Sequence, residues 1–200
     1  MSVAALTPYP VAARELLRET LFDAARRELA QRQWNEVTMS DIARSAGVSR
    51  QTLYKEFGSR DQFAGELVLR EGDRFVVAVE GAMDAHLHEP TTALTAAFSL
   101  FLTAAAEDPL IRAAIAGADE MLPLVTTQGQ PLMERSAERL VHAISSRWPQ
   151  ASPHDVTLLA ECLVRLAISY ATLPHGPVRT TAAGVAELLG PYIERALAES

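Results

Sequence analysis

The sequence predicts an all-α protein on three observations. Apolar residues recur at three- and four-residue spacing through almost the whole chain. No run of alternating apolar and polar residues bounded by turn residues occurs, and Gly and Pro fall mostly at breaks between the periodic segments. The 200 residues, 48% hydrophobic and 22% charged, have the composition of an ordinary globular protein rather than a fibrous or disordered one. Cys162 is the only cysteine, which excludes a disulfide framework within the chain and a cysteine-rich zinc site. No stretch approaches about 18 uninterrupted apolar residues, so no membrane span is expected. Residues 1–14 lack a basic start followed by an apolar run, so a secretory signal is not expected either. The expected location is cytoplasmic.

Each element has its own signal. The first helix is expected from about Val11 to Gln33, with Leu17, Leu21, Ala24, Ala25 and Leu29 along one face. Thr38 caps a short second helix, with Asp41 three residues on in a capping-box arrangement, and Gly47 stops it. Ser49 caps a third helix reaching about Phe57, and Gly58 ends it. Ser59 and Gln62 form a further box that opens a long fourth helix from Arg60 to about His86. Beyond Pro90 the pattern predicts helices near 91–106, 109–117, 119–147 (broken around Thr126–Pro131), 153–173 and 181–198. The expected domains are residues 11–58 and residues 59–200.

The stretch from Thr38 to Phe57 describes two short helices crossing steeply around a tight turn. Ala43 is small where the helices approach, Gly47 makes the turn and Val48 plugs it from beneath. Ile42, Leu53 and Phe57 supply a shared core. With a helix in front, this is the helix-turn-helix layout, whose second helix lies in the DNA major groove. Charge agrees with that placement. Residues 1–60 hold nine Arg/Lys against seven Asp/Glu, a net of +2, whereas residues 61–200 hold nine against eighteen, a net of −9. The overall net of −7 argues against indiscriminate coating of nucleic acid, and only the N-terminal segment can approach phosphate without strong repulsion.

Taken together, the Arg-rich first helix, Trp34, Thr38, Ile42-Ala43, Ala46-Gly47-Val48-Ser49, Thr52-Leu53-Tyr54, Phe57 and Ser59-Arg60 resemble the DNA-binding domain of TetR-family regulators. The resemblance covers roughly residues 14–70; beyond it the chain matches only in being helical and of suitable length. Ser49, Arg50, Gln51 and Thr52 form the first turn of the recognition helix. Arg50 can pair bidentately with guanine and Gln51 with adenine, and Thr52 is expected on a thymine methyl or a phosphate. Ser49 is expected both to cap its helix and to meet a phosphate. The resemblance implies that Tyr54 and Lys55, the chain's only lysine, contact phosphate, with Arg60 against the backbone at the start of the fourth helix. Thr38 sits at a helix N-terminus, where backbone N–H groups favour an anion.

The resemblance further implies a repressor that binds a palindromic operator as a homodimer and is released by a small effector, with a helical ligand-binding and dimerisation domain and no catalytic role. The last helix carries an apolar stripe of Val185, Leu188, Leu189, Tyr192, Ile193, Ala196 and Leu197. The helix before it is apolar on two sides: Val156, Leu159, Leu163, Leu166 and Tyr170 on one, Leu158, Cys162 and Leu173 on the other. A helix apolar most of the way round has to be buried twice, here in its own core and against a partner copy. The effector site is expected among the middle helices, lined by Phe98, Phe101, Leu102, Met121, Leu122, Met133 and Leu140, with His142 or Tyr170 as a polar anchor. Few charges fall between Thr91 and Pro131, which suits an apolar, lipid-like or fatty-acyl effector. The five histidines do not cluster with carboxylates at metal-ligand spacing, and no G-x-S-x-G, P-loop or G-x-G-x-x-G is present, so neither metal nor cofactor is expected.

Overall fold

The structure, a computed structural model, describes residues 8–108 and 129–197. All regular structure among these residues is helical. The elements are α1 (Tyr9–Leu29), a 3-10 turn (Trp34–Glu36), α2 (Met39–Ser45), α3 (Arg50–Phe57), α4 (Arg60–Asp84), α5 (Pro90–Glu107), α6 (Gln130–Arg147), α7 (Pro153–Thr172) and α8 (Val178–Leu197). The helix expected over 109–117, and the residues Met121 and Leu122, lie outside the described residues. Two compact units divide the chain between Leu67 and Val68, inside α4. The division falls beyond the expected boundary at 58 because Phe63, Ala64 and Leu67, in the first turns of α4, are buried with the N-terminal core.

In the N-terminal unit the capping chemistry closes as the sequence spells it. Thr38 Oγ1 accepts from the Asp41 amide at 3.2 Å while the Asp41 carboxylate accepts from the Thr38 amide at 3.0 Å, so two otherwise orphaned donors at the start of α2 are satisfied reciprocally. Gly47 takes φ +73°, a conformation that costs a side-chain-bearing residue steric strain, and this lets the Val48 amide reach back to the Ala43 carbonyl at 2.9 Å. Ser49 Oγ then accepts from the Thr52 amide at 3.0 Å and starts α3. α1 ends at Leu29, short of the expected Gln33, because Trp34 and Val37 must turn inward; both are fully buried.

An aromatic cluster forms the floor of this unit. The Phe57 and Phe63 rings meet nearly at right angles with centroids 4.8 Å apart, Phe22 packs on Phe57 at 5.3 Å and on Phe63 at 5.5 Å, and Trp34 lies parallel to Phe63 at 6.5 Å. Two arginines border the cluster. The Arg60 guanidinium sits 4.2 Å from the Trp34 ring centroid and donates to the carbonyls of Val37 at 2.5 Å and Trp34 at 2.6 Å, tying the start of α4 to the turn before α2. Arg18 lies 4.5 Å from the Phe57 centroid, donates to Glu56 at 2.8 Å and pairs with Glu66. Arg14 joins it on Glu56 at 2.8 Å. Burial raises the Glu56 carboxyl's pKa, but the hydrogen bonds and charges of Arg18 and Arg14 outweigh it, leaving the group below the ordinary carboxylate value.

The C-terminal unit is built by α5 against α8 and α7, and by α6 against α7. Its core is Met83, Leu94, Phe98, Leu102, Leu140, Ile144, Trp148, Val156, Leu159, Leu163, Val185, Ile193 and Leu197 with interleaved alanines. A ladder of ion pairs joins α4 to α6: Arg135 with Asp73 at 2.9 Å, Arg139 with Asp73 at 3.1 Å and Arg147 with Asp84 at 2.8 Å. Gly72 makes room for α6 side chains, since a Cβ there would lie 2.7 Å from Leu132 Cδ1.

Two predictions follow from the N-terminal unit. Arg60→Ala removes two charge-assisted hydrogen bonds to carbonyls, and is expected to cost roughly 1–3 kcal/mol of that unit's stability in denaturant titration. Arg60→Lys recovers little, because one ammonium cannot reproduce the fork that reaches both carbonyls. Because the folded state holds Glu56 below its unfolded pKa, the stabilisation it contributes is complete above about 4.3, the ordinary glutamate value, and is lost as pH falls through the lower folded value. Melting curves between about pH 5 and pH 3 are expected to show a smaller loss of Tm for Glu56→Gln than for the parent chain.

Candidate nucleic-acid interface and internal cavity

α3 presents two faces. Leu53 and Phe57, one turn apart, are buried in the aromatic floor, and that anchoring turns Arg50, Gln51 and Lys55 to solvent. Ser49 is exposed, and Thr52 and Tyr54 are half-buried on the flank. The expected base-reading and phosphate-contacting side chains of α3 therefore share one surface. Arg50 lies along the helix over the Tyr54 ring, its guanidinium carbon 5.1 Å from the ring centroid and Nη2 3.4 Å from the phenol oxygen. Contact at positions i and i+4 holds the guanidinium on this face. Ser49 and Thr52 share a hydroxyl hydrogen bond at 2.8 Å.

Two expectations change here. The Arg60 guanidinium is engaged with the Trp34 and Val37 carbonyls and the Trp34 ring, so its place in the fold is as a clamp on the turn before α2 rather than as an extended phosphate contact. Thr38 is exposed at the α2 N-terminus, but its hydroxyl donates to the Asp41 carboxylate at 2.7 Å. The helix N-terminus at which an anion was expected already holds an anion of the chain's own. Hydrogen bonds from the Thr38 side chain and backbone hold the Asp41 pKa below the ordinary carboxylate value, with Arg32 and Arg44 adding to the effect.

The C-terminal unit contains an apolar cavity of about 150 Å³. α4 contributes Val68, Glu71, Gly72, Phe75, Val76 and Val79; α5 contributes Leu94, Ala97, Phe98 and Phe101; α6 contributes Leu132, Ser136 and Leu140; α7 contributes Leu163, Val164, Ala167, Ile168, Ala171 and Thr172. Of the expected liners, Phe98, Phe101 and Leu140 are in this wall. Tyr170 packs edge-to-face on Phe98 at 6.4 Å and lines a second, adjoining chamber of about 320 Å³ with Leu102. Met133 is in neither; it lines an outer groove between α6 and α7. His142 is exposed and lines neither chamber nor this groove. The reason is helical phase: Leu132, Ser136 and Leu140 form the inward row of α6, one residue beyond Leu132 turns Met133 aside by about 100°, and two beyond Leu140 turns His142 by about 200°. The α4 wall was not anticipated. Its signal is present in the apolar residues Val68, Phe75, Val76 and Val79, the last three lying seven, eight and eleven residues beyond the first.

Among the described residues no group of three His, Cys, Asp or Glu side chains is placed to hold a metal, and no helix is long and apolar enough to cross a membrane. On the C-terminal helices Leu158, Leu173 and Leu188 stand exposed at 49%, 77% and 75%.

Comparison with known proteins agrees with this geometry. A family profile described as bacterial regulatory proteins, tetR family, matches residues 21–67, and one described as the bacterial tetracyclin repressor C-terminal domain matches residues 89–191. The HTH-type transcriptional regulator AlkX of Mycobacterium tuberculosis is 38% identical over 190 residues, spanning 94% of this chain and 90% of its own. The crystal structure of the TetR-family repressor AlkX from a Dietzia species, at 36% identity, covers 90% of this chain and 96% of its own with a TM-score of 0.82. FadR of Thermus thermophilus shares the fold alone, at 19% identity and a TM-score of 0.62 over 92% of this chain and 96% of its own. The chain belongs to the TetR family of bacterial regulatory proteins: it is a helix-turn-helix, DNA-binding transcriptional regulator and not an enzyme.

Proposed function

We propose that two copies of this chain bind a palindromic operator through α3 and repress transcription until a small apolar effector enters the cavity of the C-terminal unit. The observation that carries the operator reading is the co-display of Arg50, Gln51 and Lys55 on α3 above the buried Leu53 and Phe57. Arg50 and Gln51 read bases, while Ser49, Thr52, Tyr54 and Lys55 contact phosphate or a thymine methyl. A palindrome requires two recognition helices about one DNA turn apart, roughly 34–36 Å, and hence a dimer. The exposed Leu158 of α7, Leu173 just after it and Leu188 of α8 support a dimer made by these two helices, because large apolar side chains left exposed are suited to burial against a partner.

The wall of the cavity, apolar on four helices, supports an effector that is itself largely hydrocarbon. The Dietzia relative, described as implicated in n-alkane biodegradation, points the same way. α4 carries cavity residues from Val68 onward and, at its other end, the Arg60 clamp and the buried Phe63. An occupant that favours one placement of α4 shifts the population of operator-competent dimers, which is the physical content of release.

Gel shifts against the DNA upstream of the chain's own coding region test the operator reading. Arg50→Ala is expected to weaken specific binding roughly 10- to 100-fold, the worth of a bidentate guanine contact, and to relax preference at one base pair per half-site. Tyr54→Phe and Lys55→Ala are expected to weaken binding to all sequences alike and, for Lys55→Ala, to reduce the slope of log affinity against log salt by about 1. Binding indifferent to Arg50→Ala would remove the α3 assignment. Leu188→Glu tests the dimer: sedimentation is expected to give monomers and operator affinity to fall with it, whereas an unchanged dimer places the interface elsewhere.

A further inference from the structure

An exposed cation borders the turn between α2 and α3. Arg44 lies on the last turn of α2, with its side chain 76% exposed. The Arg44 carbonyl accepts from the Gly47 amide at 3.1 Å, inside the turn that leads to Ser49 and Arg50 at the start of α3. Arg44, Gly47, Ser49 and Arg50 are all exposed, so this side chain stands beside the end of α3 that carries the base-reading residues. The neighbouring arginines are committed to the fold. Arg14 and Arg18 hold Glu56, Arg27 donates to the Ser45 carbonyl at 3.0 Å, Arg32 pairs with Glu28 and Asp41, and Arg60 clamps two carbonyls. Arg44 has a single side-chain partner among the described residues, the Asp41 carboxylate three positions earlier. That carboxylate does not depend on it. Asp41 also accepts from the Thr38 amide at 3.0 Å and the Thr38 hydroxyl at 2.7 Å, and Arg32 lies 3.6 Å away. Among the groups that hold the Asp41 pKa down, Thr38 contributes most and Arg44 least.

We propose that Arg44 changes partner when the protein meets DNA: its guanidinium leaves Asp41 for a backbone phosphate beside the start of α3, and it reads no base. This inference rests on the reading of α3 as the recognition helix. The first helix of a helix-turn-helix crosses the DNA backbone while the second lies in the groove, and the larger share of hydrogen bonds in such interfaces goes to phosphate and sugar. Arg44 is the only cation on α2, and the Thr38 hydroxyl at the other end of that helix is already donated to Asp41. The exchange leaves nothing stranded. An exposed ion pair between residues one helical turn apart contributes little in water, whereas a guanidinium on phosphate gains a charge-assisted hydrogen bond and releases a condensed counterion. Asp41 meanwhile keeps Thr38 and Arg32, so the cap of α2 survives.

Gel shifts of the full-length protein over a range of salt, on the upstream DNA and on an unrelated duplex, test this. Arg44→Ala is expected to weaken binding to both DNAs by the same factor and to reduce the slope of log affinity against log salt by about 1 per bound copy. The slope does not depend on the active fraction, so a partly unfolded variant still reports. Arg44→Lys is expected to keep the parent slope, because a point charge satisfies a phosphate. Asp41→Asn supplies an independent arm: it abolishes the ion pair while leaving an amide oxygen to accept from the Thr38 amide. In that background Arg44→Ala is expected to reduce the slope by the same amount again, whereas an Arg44 that acts only by holding Asp41 has nothing further to lose. A parent slope retained in Arg44→Ala, an effect that vanishes in the Asp41→Asn background, or an altered preference at one operator base pair overturns the assignment. Arg50→Ala separates this contact from the α3 reading. Specific binding that falls with Arg50→Ala, beside a salt slope indifferent to Arg44→Ala, removes the backbone contact alone; a parent chain that binds neither DNA removes both.

Discussion

Beneath the recognition helix Phe57 meets Phe22 and Phe63 edge to face, Phe22 lies tilted against Phe63, Trp34 stands parallel to Phe63, and Leu53 is fully buried. Every ring comes from a different segment: α1, the 3-10 turn, α3 and α4. Aromatic contacts of this type add roughly 0.5–1.5 kcal/mol per pair beyond the area they bury. Here their geometric consequence outweighs that energy. A helix of eight residues has little stability of its own, so its orientation is whatever its buried side chains dictate. With Leu53 and Phe57 fixed inward, the helical repeat leaves Arg50, Gln51 and Lys55 no direction but outward. The outward display of these three side chains therefore depends on hydrocarbon buried beneath them.

Charge reinforces the same arrangement. Arg18 and Arg60 stand at the border of the aromatic cluster, each satisfying acceptors from another segment: Arg18 the carboxylates of Glu56 and Glu66, Arg60 two carbonyls of the turn. Such side chains combine a flat face for stacking with a fork of donors, which lysine cannot do. Seventeen of the eighteen cationic side chains are arginine, and the single lysine, Lys55, stands exposed on α3.

The fold was legible where local chemistry dictates it. Capping pairs at Thr38–Asp41 and Ser49–Thr52, the positive-φ turn at Gly47 and the apolar spacing of α5, α7 and α8 are all properties of short stretches of chain, and the structure follows them. What a sequence read segment by segment does not show is which polar groups reach across space. Arg60 was expected against the DNA backbone because the family resemblance places a basic residue there, yet the two carbonyls it meets lie more than twenty residues earlier. Helical phase also sorted the pocket candidates. Phe98 and Phe101 sit on the row of α5 that faces the cavity, whereas His142 was selected by chemistry and lies on the wrong face of α6. The whole α4 wall was missed because the effector site was sought among the middle helices alone, although the valines of α4 repeat with the period of a buried face.

Gly72 sits in the cavity wall, and a Cβ there would lie 2.7 Å from Leu132 Cδ1, the tip of a side chain that lines the same wall from α6. Any larger group at that position would meet that tip and turn it aside, while the Arg135–Asp73 and Arg139–Asp73 pairs keep the two helices joined. The bore of the cavity can consequently be altered through the rotamer of Leu132, from a position whose own side chain is a hydrogen atom.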